Sequence, residues 1–501
     1  MAVLRMTLGI PSTAEAIPDR IASTLTIEQF FGLFDRYGGY NGLKQFGVRS
    51  VILGQLAVGT LGGLLYALVV EFGRTRDPGR PRRFGLGRLG LVFLAVVIAA
   101  AWVATLAGLR PVLGANFRGL SPRPATAATA LGLLLAYAGY GVALILTHRL
   151  LTSSAPLRQP APVGGRLLTR RAFLTVGTGA VLALASGVVI RRLFDRATFG
   201  YDGLQYRGPD VAPITPNERF YTVTKNVVDP NVARGVWRLE IGGLVKRARA
   251  YSFDDLAALP ATVQETTLMC ISNGLDAGLM SNARWKGVPL RTLLEAAGPR
   301  PGVVEVQLHG ADGYTDTFAF TKALDPTALL VYEMNGEPLP ERHGYPVRVI
   351  VPGLYGEKNV KWVTRIELVD YDAKGFYERQ GWGPDFVIPI RSRIDAPDFD
   401  RPLPPGAPVR LRGVAFGGDR GISRVEVSAD DGRSWREARL DYPGTRLSWA
   451  LWSFEWRPPG PGEYRLAVRA TDGTGALQTA EERGIVPRGA TGYHRVTARV
   501  G

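Results

Sequence analysis

Cysteine and histidine are scarce in this chain, and their scarcity excludes several arrangements. Cys270 is the one cysteine in 501 residues, so it has no disulfide partner within the chain and gives no indication of the redox compartment. The four histidines are His148, His309, His343 and His494. The apolar runs described below contain no pair of histidines. A haem b held between two histidines of this chain is therefore excluded on ligand count.

Acidic residues are scarce in the N-terminal part, and this changes the meaning of the net charge of +16. Residues 1–200 hold 22 Lys and Arg but only 7 Asp and Glu. Residues 201–501 are nearly balanced, with 38 Lys and Arg and 37 Asp and Glu. The positive excess accompanies strongly apolar sequence. It therefore indicates membrane topology and argues against nucleic acid as a partner.

Four apolar runs in the N-terminal part are each close to the roughly 20 residues that cross a hydrocarbon core. We predict four transmembrane helices, at about residues 51–70, 89–109, 127–146 and 172–190. No charge lies in the middle of a run, and small residues recur as expected where helices pack in lipid. A buried soluble helix bundle is the alternative, but four uncharged runs in succession argue against it.

Arginines in the connections predict the orientation of these helices. The connections after the first and third runs are rich in arginine, whereas the second connection has only Arg110, Arg118 and Arg123. The positive-inside rule places the first and third connections in the cytoplasm, and hence the large C-terminal region outside the cell membrane. The segment 169–174 (TRRAFL) at the head of the fourth run resembles a twin-arginine export signal, although two arginines are equally a positive-inside flank.

The rest of the chain divides into segments of different character. Residues 1–50 are predicted as an N-terminal extracytoplasmic segment, in which residues 26–34 form either a short interfacial helix or a packed loop. Residues 191–208 form a linker. Residues 209–396 have the mixed strands and short helices of an α+β domain. Residues 397–501 have short alternating segments typical of an immunoglobulin-like sandwich, with tryptophans that we assign to packing and not to a stacking platform for a polymer.

Cys270 lies in the stretch that carries the chemistry. Residues 267–270 are predicted as the end of a strand and residues 272–274 as a turn, which places the Cys270 thiol at the C-terminal end of the strand. A lone cysteine is usually a small buried hydrophobe. Beside a polar turn, however, a thiolate is also a suitable ligand for a heavy transition metal. Together with the run WKGVPLRTLL at 285–294, this stretch resembles the molybdenum-cysteine segment of the sulfite oxidase family of molybdopterin enzymes.

The resemblance extends from Tyr206 to the C-terminus, and it implies molybdenum held by molybdopterin, with Cys270 as metal ligand and catalytic residue. Arg348, Lys361 and the turn 356–360 provide the guanidinium, ammonium and N–H groups that suit a phosphate dianion. The alternatives are an ordinary ion pair for Arg348 and a core position for His343. The resemblance assigns cofactor binding to Thr224, Lys225, Asn226, Ser272, Asn273, His309, His343, Arg348, Asn359, Val360 and Lys361.

Four positions depart from sulfite oxidases proper. Arginines of that family align with Val223, Gly274 and Leu275, and its catalytic tyrosine aligns with Ala373. Sulfite is a small dianion that needs those cations, so their absence puts sulfite oxidation in doubt. We expect oxygen-atom transfer on a small-molecule oxo substrate. The alternatives are the reduction of S- or N-oxides, and a non-catalytic protein that uses the fold for assembly, against which the presence of Cys270 argues.

Partners follow from the same observations. Because this chain lacks the histidines for its own haem b, electrons are expected to pass through a separate cytochrome or a quinone-linked carrier. The segments 413–418 and 422–435 resemble the dimerisation domain of the same family, which would allow a homodimer. The membrane part then serves as an anchor and docking surface.

Overall fold

The computed structural model describes residues 1–76, 88–152 and 197–501, together with a few single positions between 181 and 195. Its N-terminal part is helical. The helices are α1 Ala2–Leu8, α2 Thr13–Ala22, α3 Ile27–Arg36, α4 Tyr40–Arg76, α5 Arg88–Leu109 and α6 Pro122–Thr152.

Residues 26–34, for which the sequence allowed either a short helix or a packed loop, lie in helix α3 and its N-terminal cap. Thr26 caps it: its hydroxyl accepts from the Gln29 backbone, and the Gln29 side chain accepts from the Thr26 backbone. Ile27 is buried in an apolar cluster that also contains Trp382 and Phe386. The cap starts the helix and the buried contact holds it against the rest of the protein.

Three of these helices are long and apolar enough to cross a membrane, over Tyr40–Val70, Gly90–Val112 and Pro122–Arg149. Only 6%, 11% and 22% of their most apolar windows are buried, so the soluble-bundle alternative is not supported. Helix α4 begins at Tyr40, well before the predicted start at residue 51, because its first turns mix polar and apolar residues and pack on the rest of the protein, for example through Lys44. The twin-arginine segment and all but a few positions of the predicted fourth span lie outside the described residues.

A mixed α+β domain follows, with two five-stranded sheets around a large apolar core. One sheet has the order β2-β1-β10-β5-β6, and the other has the order β3-β4-β7-β8 with β9 beside β7. The strands are β1 Arg238–Gly243, β2 Arg249–Ser252, β3 Thr262–Met269, β4 Met280–Pro289, β5 Glu305–Gly310, β6 Thr315–Ala319, β7 Leu329–Met334, β8 Glu337–Pro338, β9 Arg348–Ile350 and β10 Val363–Val369. Short helices α7 Phe253–Ala257, α8 Leu290–Ala297 and α9 Phe320–Ala323 connect them.

The C-terminal region is all-β, with two four-stranded sheets of order β11-β12-β16-β15 and β14-β13-β17-β18. The strands are β11 Arg391–Ala396, β12 Val409–Phe416, β13 Ile422–Ser428, β14 Arg436–Glu437, β15 Arg439–Tyr442, β16 Ala450–Trp456, β17 Gly462–Asp472 and β18 His494–Val500. Trp449, Trp452 and Trp456 are buried, which agrees with a packing role.

Two sequence predictions for this region need correction. The predicted boundary at residue 397 is too late, because β11 already pairs with β12 and so belongs to the all-β region. The segment 435–440, one of the short alternating segments that the sequence predicts as strands of the sandwich, is divided between the two sheets. Buried Ala438 donates its N–H to the Val425 carbonyl, and the chain then crosses from β14 beside β13 to β15 beside β16.

Buried polar contacts hold the N-terminal helices on the α+β domain. The Lys44 ammonium on α4 lies 2.7 Å from Asp202 Oδ2 and also donates to the backbone carbonyls of Thr224 and Asn226. The Lys225 ammonium lies 2.8 and 2.9 Å from the two carboxylate oxygens of Asp19 on α2. The N-terminal segment is therefore attached beside one of the stretches predicted to bind the cofactor.

Candidate active site

Cys270 directly follows β3 and lines a cavity of about 580 Å³, which we call the main cavity. Its backbone N–H donates to Leu279, and its carbonyl accepts from Asn273, so the turn fixes the thiol at the strand end. Burial, reinforced by Glu357, raises the pKa of the thiol to about 12, although Ser272 Oγ lies 3.0 Å from Sγ. A thiol with this pKa is protonated near neutral pH, and a bound metal would stabilise its thiolate form.

Cationic groups form another part of the main cavity. Arg348, at the start of β9, is buried and donates to the carbonyls of His343 and Asn359, while its Nε has no hydrogen-bond partner in the described structure. The Lys361 ammonium donates to the Arg342 carbonyl at 3.3 Å. Desolvation lowers the pKa of Arg348 to about 10 and also lowers the pKa of Lys361. A buried guanidinium and a partly buried ammonium, both held by carbonyl oxygens, are a suitable site for an anionic group.

His343 lies beside these cations in the neutral form, because desolvation lowers its pKa to about 3. Its Nε2 lies 2.9 Å from the Asn217 carbonyl oxygen, and since a carbonyl can only accept, Nε2 carries the proton. Nδ1 is therefore available as an acceptor. Gly344 follows with φ of 113°, and a Cβ there would lie 3.1 Å from the Lys361 backbone, so only glycine allows the two segments to approach this closely.

Most of the predicted site residues meet at the main cavity. Besides Cys270, those that line it are Thr224, Lys225, Ser272, His343, Arg348, Asn359, Val360 and Lys361. Lys225 differs from the others in that its ammonium is already paired with Asp19. The Asn359 side chain supports the backbone, accepting from Val351 and donating to Tyr355.

Three predicted cofactor residues do not line the main cavity. His309 alternates with core residue Leu308 on β5, so it points to the other face, where Nε2 lies 2.9 Å from Glu367 Oε2. Asn273 accepts from the Leu279 backbone and shapes the turn after Cys270. Asn226 donates to Asp312 at 2.8 Å and lines a neighbouring cavity instead.

The structure also brings residues to the main cavity that the sequence argument missed. Tyr221 and Tyr377 line it, and burial raises the pKa of both phenols. Ala373, aligned with the family's tyrosine, is buried, whereas Tyr377 stands four positions later and interacts electrostatically with Cys270. Burial raises the pKa of Glu357 to about 8, so this carboxyl is largely neutral at pH 7. Glu357 directly follows Gly356 in the turn 356–360 that the sequence predicts to bind the cofactor, and this position could have identified it as a site residue.

The N-terminal segment covers part of the main cavity. Phe30, Phe31 and Phe34 of α3 contribute to its lining, and Phe31 also contacts Trp382 at a ring-centroid distance of 5.9 Å. These residues come from a segment that the sequence analysis treated as separate from the site. The wall that they form is aromatic and uncharged.

The donor set fits molybdenum held by molybdopterin. The cavity offers one soft sulfur ligand, two cations, and the Nε of Arg348, which has no hydrogen-bond partner among the described residues. Within the described residues, no group of three or more His, Cys, Asp and Glu could hold a metal by itself. A metal at Cys270 would therefore take most of its ligands from a cofactor, and the cations would bind the cofactor's phosphate.

Comparisons with known proteins agree with this site. Residues 226–377 match the family described as the oxidoreductase molybdopterin binding domain, and residues 385–500 match the Mo-co oxidoreductase dimerisation domain. Sulfite oxidase of Gallus gallus is 33% identical over 313 residues, which are 53% of this chain and 68% of that protein. Mitochondrial sulfite oxidase of Rattus norvegicus is 32% identical over 307 residues, 52% of this chain but only 56% of the rat protein.

A solved structure supports the same assignment. The sulfane dehydrogenase SoxCD of Paracoccus pantotrophus has a TM-score of 0.52 and 27% identity, over 58% of this chain and 84% of that chain. Fold and site together define a molybdopterin-dependent oxidoreductase with a molybdenum cofactor. The chain belongs to the sulfite oxidase family.

Proposed function

We propose that this chain is a membrane-anchored oxidoreductase that transfers an oxygen atom to or from a small molecule outside the cell membrane. The observation that carries the proposal is a partly buried thiol, Cys270, on the wall of a cavity that also holds the cations Arg348 and Lys361, whose hydrogen bonds in the described structure go to backbone carbonyls. When bound, the molybdenum cofactor supplies the two-electron chemistry of oxygen-atom transfer. The protein supplies ligands, orientation and access.

The roles of the lining residues follow from their contacts. The Cys270 thiolate would ligate the metal, with Ser272 Oγ as a hydrogen-bond partner of the sulfur. Arg348 and Lys361 would bind the phosphate, and Nδ1 of His343 would accept a hydrogen bond from the pterin. Thr224 and residues 359–360 complete the wall. Lys225 positions the N-terminal cover through Asp19.

The wall beside Cys270 favours a neutral organic substrate over sulfite. Val223 and Gly274 line the cavity at the positions where arginines of sulfite oxidases align, and the phenylalanines of α3 add aromatic surface. A sulfite dianion would lose its solvation there without gaining a cationic partner. Reduction of an organic S- or N-oxide with an apolar substituent is therefore the second candidate function.

A substrate screen tests this choice. We expect dye-driven turnover with aryl sulfoxides or tertiary amine N-oxides. The kcat/KM for sulfite oxidation should be about 100-fold lower than the kcat/KM for these oxides, since each missing charge-assisted hydrogen bond to sulfite is worth about 1.5–3 kcal/mol. The assay compares initial rates of one molybdenum-loaded preparation with each substrate and a viologen or ferricyanide as electron carrier. Efficient sulfite oxidation with no turnover of organic oxides would contradict the proposal.

The membrane orientation gives a separate prediction. A reporter active only in the cytoplasm should be silent when fused after Gly501 and active when inserted between residues 74 and 88, because arginine-rich connections stay inside. A reporter active only outside serves as the control and should give the inverse pattern. Cytoplasmic activity at Gly501 would overturn the extracytoplasmic site.

The C-terminal domain bears on assembly. Residues 385–500 match a dimerisation domain, so we propose that two copies associate through this region. Each site would then exchange electrons either with a separate cytochrome or quinone-linked carrier, or directly with a quinone.

A further inference from the structure

A second cavity, of about 260 Å³, lies between the N-terminal helices and the α+β domain; we call it the junction cavity. Its walls come from α2, α3, the first turns of α4, the segment after α5, and the loops 225–227 and 376–380. It is thus at the place where the helices that can cross a membrane join the domain that holds the cofactor site.

The lining of the junction cavity is mostly apolar, and its charged groups are neutralised by partners. Lys44 is paired with Asp202, Lys225 with Asp19, and Glu15 with Arg5. The apolar side chains include Ile21, Leu25, Leu33, Leu43, Phe46 and Phe376. A cavity with paired charges and an apolar wall suits an uncharged, flat or aliphatic ligand and excludes an ionic one.

The junction cavity adjoins the main cavity. Phe30, Tyr40, Lys225, Tyr377 and Gln380 line both. The phenols of Tyr40 and Tyr377 thus stand where the two cavities meet. A phenol hydroxyl there can donate a hydrogen bond to a ligand oxygen.

The junction cavity also adjoins the membrane-facing surface of α4. Ser50 and Val51 line it, and the span that can cross the membrane continues from there. On the following turns Leu53, Leu56 and Val58 are 66%, 64% and 71% exposed, so the outer surface of the helix is apolar. A ligand with its head group in the cavity could leave its tail along this surface, in lipid.

We propose that the junction cavity binds the ring of a membrane-dissolved quinone, which exchanges electrons with the cofactor site of the same chain without a separate carrier subunit. The proposal rests on the oxygen-atom transfer inferred above. A quinol loses two electrons and two protons to become a quinone, and an oxo substrate takes up both and releases one water as it is reduced. In the oxidative direction the quinone takes up the two electrons and two protons, and water provides the oxygen atom.

Binding of decylubiquinone, a benzoquinone with a short tail, tests the site without turnover. Titration calorimetry of the full chain, purified with its cofactor in detergent, should show saturable binding at one site per chain. Organic extraction of the same protein should release quinone from the source membrane. Absence of saturable binding in the wild-type protein overturns the proposal, even where the protein is active with an artificial dye.

A matched pair of variants locates the binding. A Cβ at Gly47 would meet only Pro18 of α2, at 3.7 and 3.8 Å, so Gly47→Leu adds its remaining carbons to the junction cavity. We expect it to raise the Kd for decylubiquinone at least about tenfold, or about 1.4 kcal/mol. Gly139→Leu makes the same change on α6, where no neighbouring atom of the described residues lies within 4 Å of the added Cβ, and it should leave the Kd unchanged. Equal effects of the two variants would place the quinone elsewhere.

Turnover assays separate this proposal from the proposed function. The ratio of decylubiquinol-driven to viologen-driven reduction of an organic oxide should fall about tenfold in Gly47→Leu and stay constant in Gly139→Leu. Viologen-driven turnover without quinone binding would overturn the quinone site and leave the oxygen-atom transfer standing. Quinone binding without turnover of any oxo substrate would leave the site standing and contradict the proposed function.

Discussion

Replacing Cys270 by serine should reduce oxygen-atom transfer by several orders of magnitude while the cofactor remains bound. The change substitutes a hard, normally protonated hydroxyl for a soft thiolate, whereas Arg348, Lys361 and His343 keep their contacts. The measurements are dye-driven turnover and the molybdenum and pterin content of the purified variant. Sulfur-to-metal charge-transfer absorption should also change.

Arg348→Ala is the comparison variant for this experiment. It removes a buried cation whose Nε has no hydrogen-bond partner in the described structure, so it should lower cofactor content by weakening a phosphate contact worth about 1.5–3 kcal/mol. The remaining loaded protein should keep a nearly normal spectrum. If Cys270→Ser retained both its turnover and its spectrum, Cys270 would be only a buried hydrophobe.

Replacing Asp202 by asparagine should destabilise the attachment of the N-terminal helices by about 3–5 kcal/mol. Asp202 Oδ2 lies 2.7 Å from the Lys44 ammonium, and the two side chains are 0% and 7% exposed. Burial raises the pKa of Asp202 in spite of this partner, so forming the pair in a dry environment is costly. Removing the Asp202 charge destabilises the protein further, because it leaves the Lys44 charge buried without an opposite charge.

Thermal unfolding followed by intrinsic fluorescence in detergent measures this effect. The apparent midpoint of Asp202→Asn should fall by several degrees, and proteases should cut the N-terminal segment more readily. Asp372→Asn is the matched control, because the ion pair of Asp372 with Lys374 is largely exposed and such pairs contribute little. Equal midpoints for wild type and Asp202→Asn would show that Lys44 is not held by this carboxylate.

Local sequence signals were sufficient for the central part of the site. A strand that ends at a thiol, followed by a polar turn, predicted the position of Cys270, and the Arg348 and Lys361 segments meet it at one cavity. His309 does not line the main cavity, and alternation along β5 offered a warning of this, since Val306 and Leu308 face the core and His309 therefore faces away. The family resemblance outweighed that local pattern.

Contacts between distant segments could not be predicted from sequence. Periodicity shows that a helix such as α3 has an apolar face but does not show which surface covers it. The aromatic wall from α3, the Lys44–Asp202 pair and the junction cavity all depend on chain pairings across more than 150 positions. The position of β11 was missed for a similar reason, because its partner β12 is identified by pairing and not by composition.

The sulfur ligands of molybdenum test the central claim most directly. X-ray absorption at the molybdenum edge counts the sulfur atoms bound to the metal in the purified protein. We expect three in the wild type, two from the pterin dithiolene and one from Cys270, and two in Cys270→Ser with molybdenum still present. The same sulfur count in both proteins, or no molybdenum in the wild type, would contradict the assignment of Cys270 as the metal ligand.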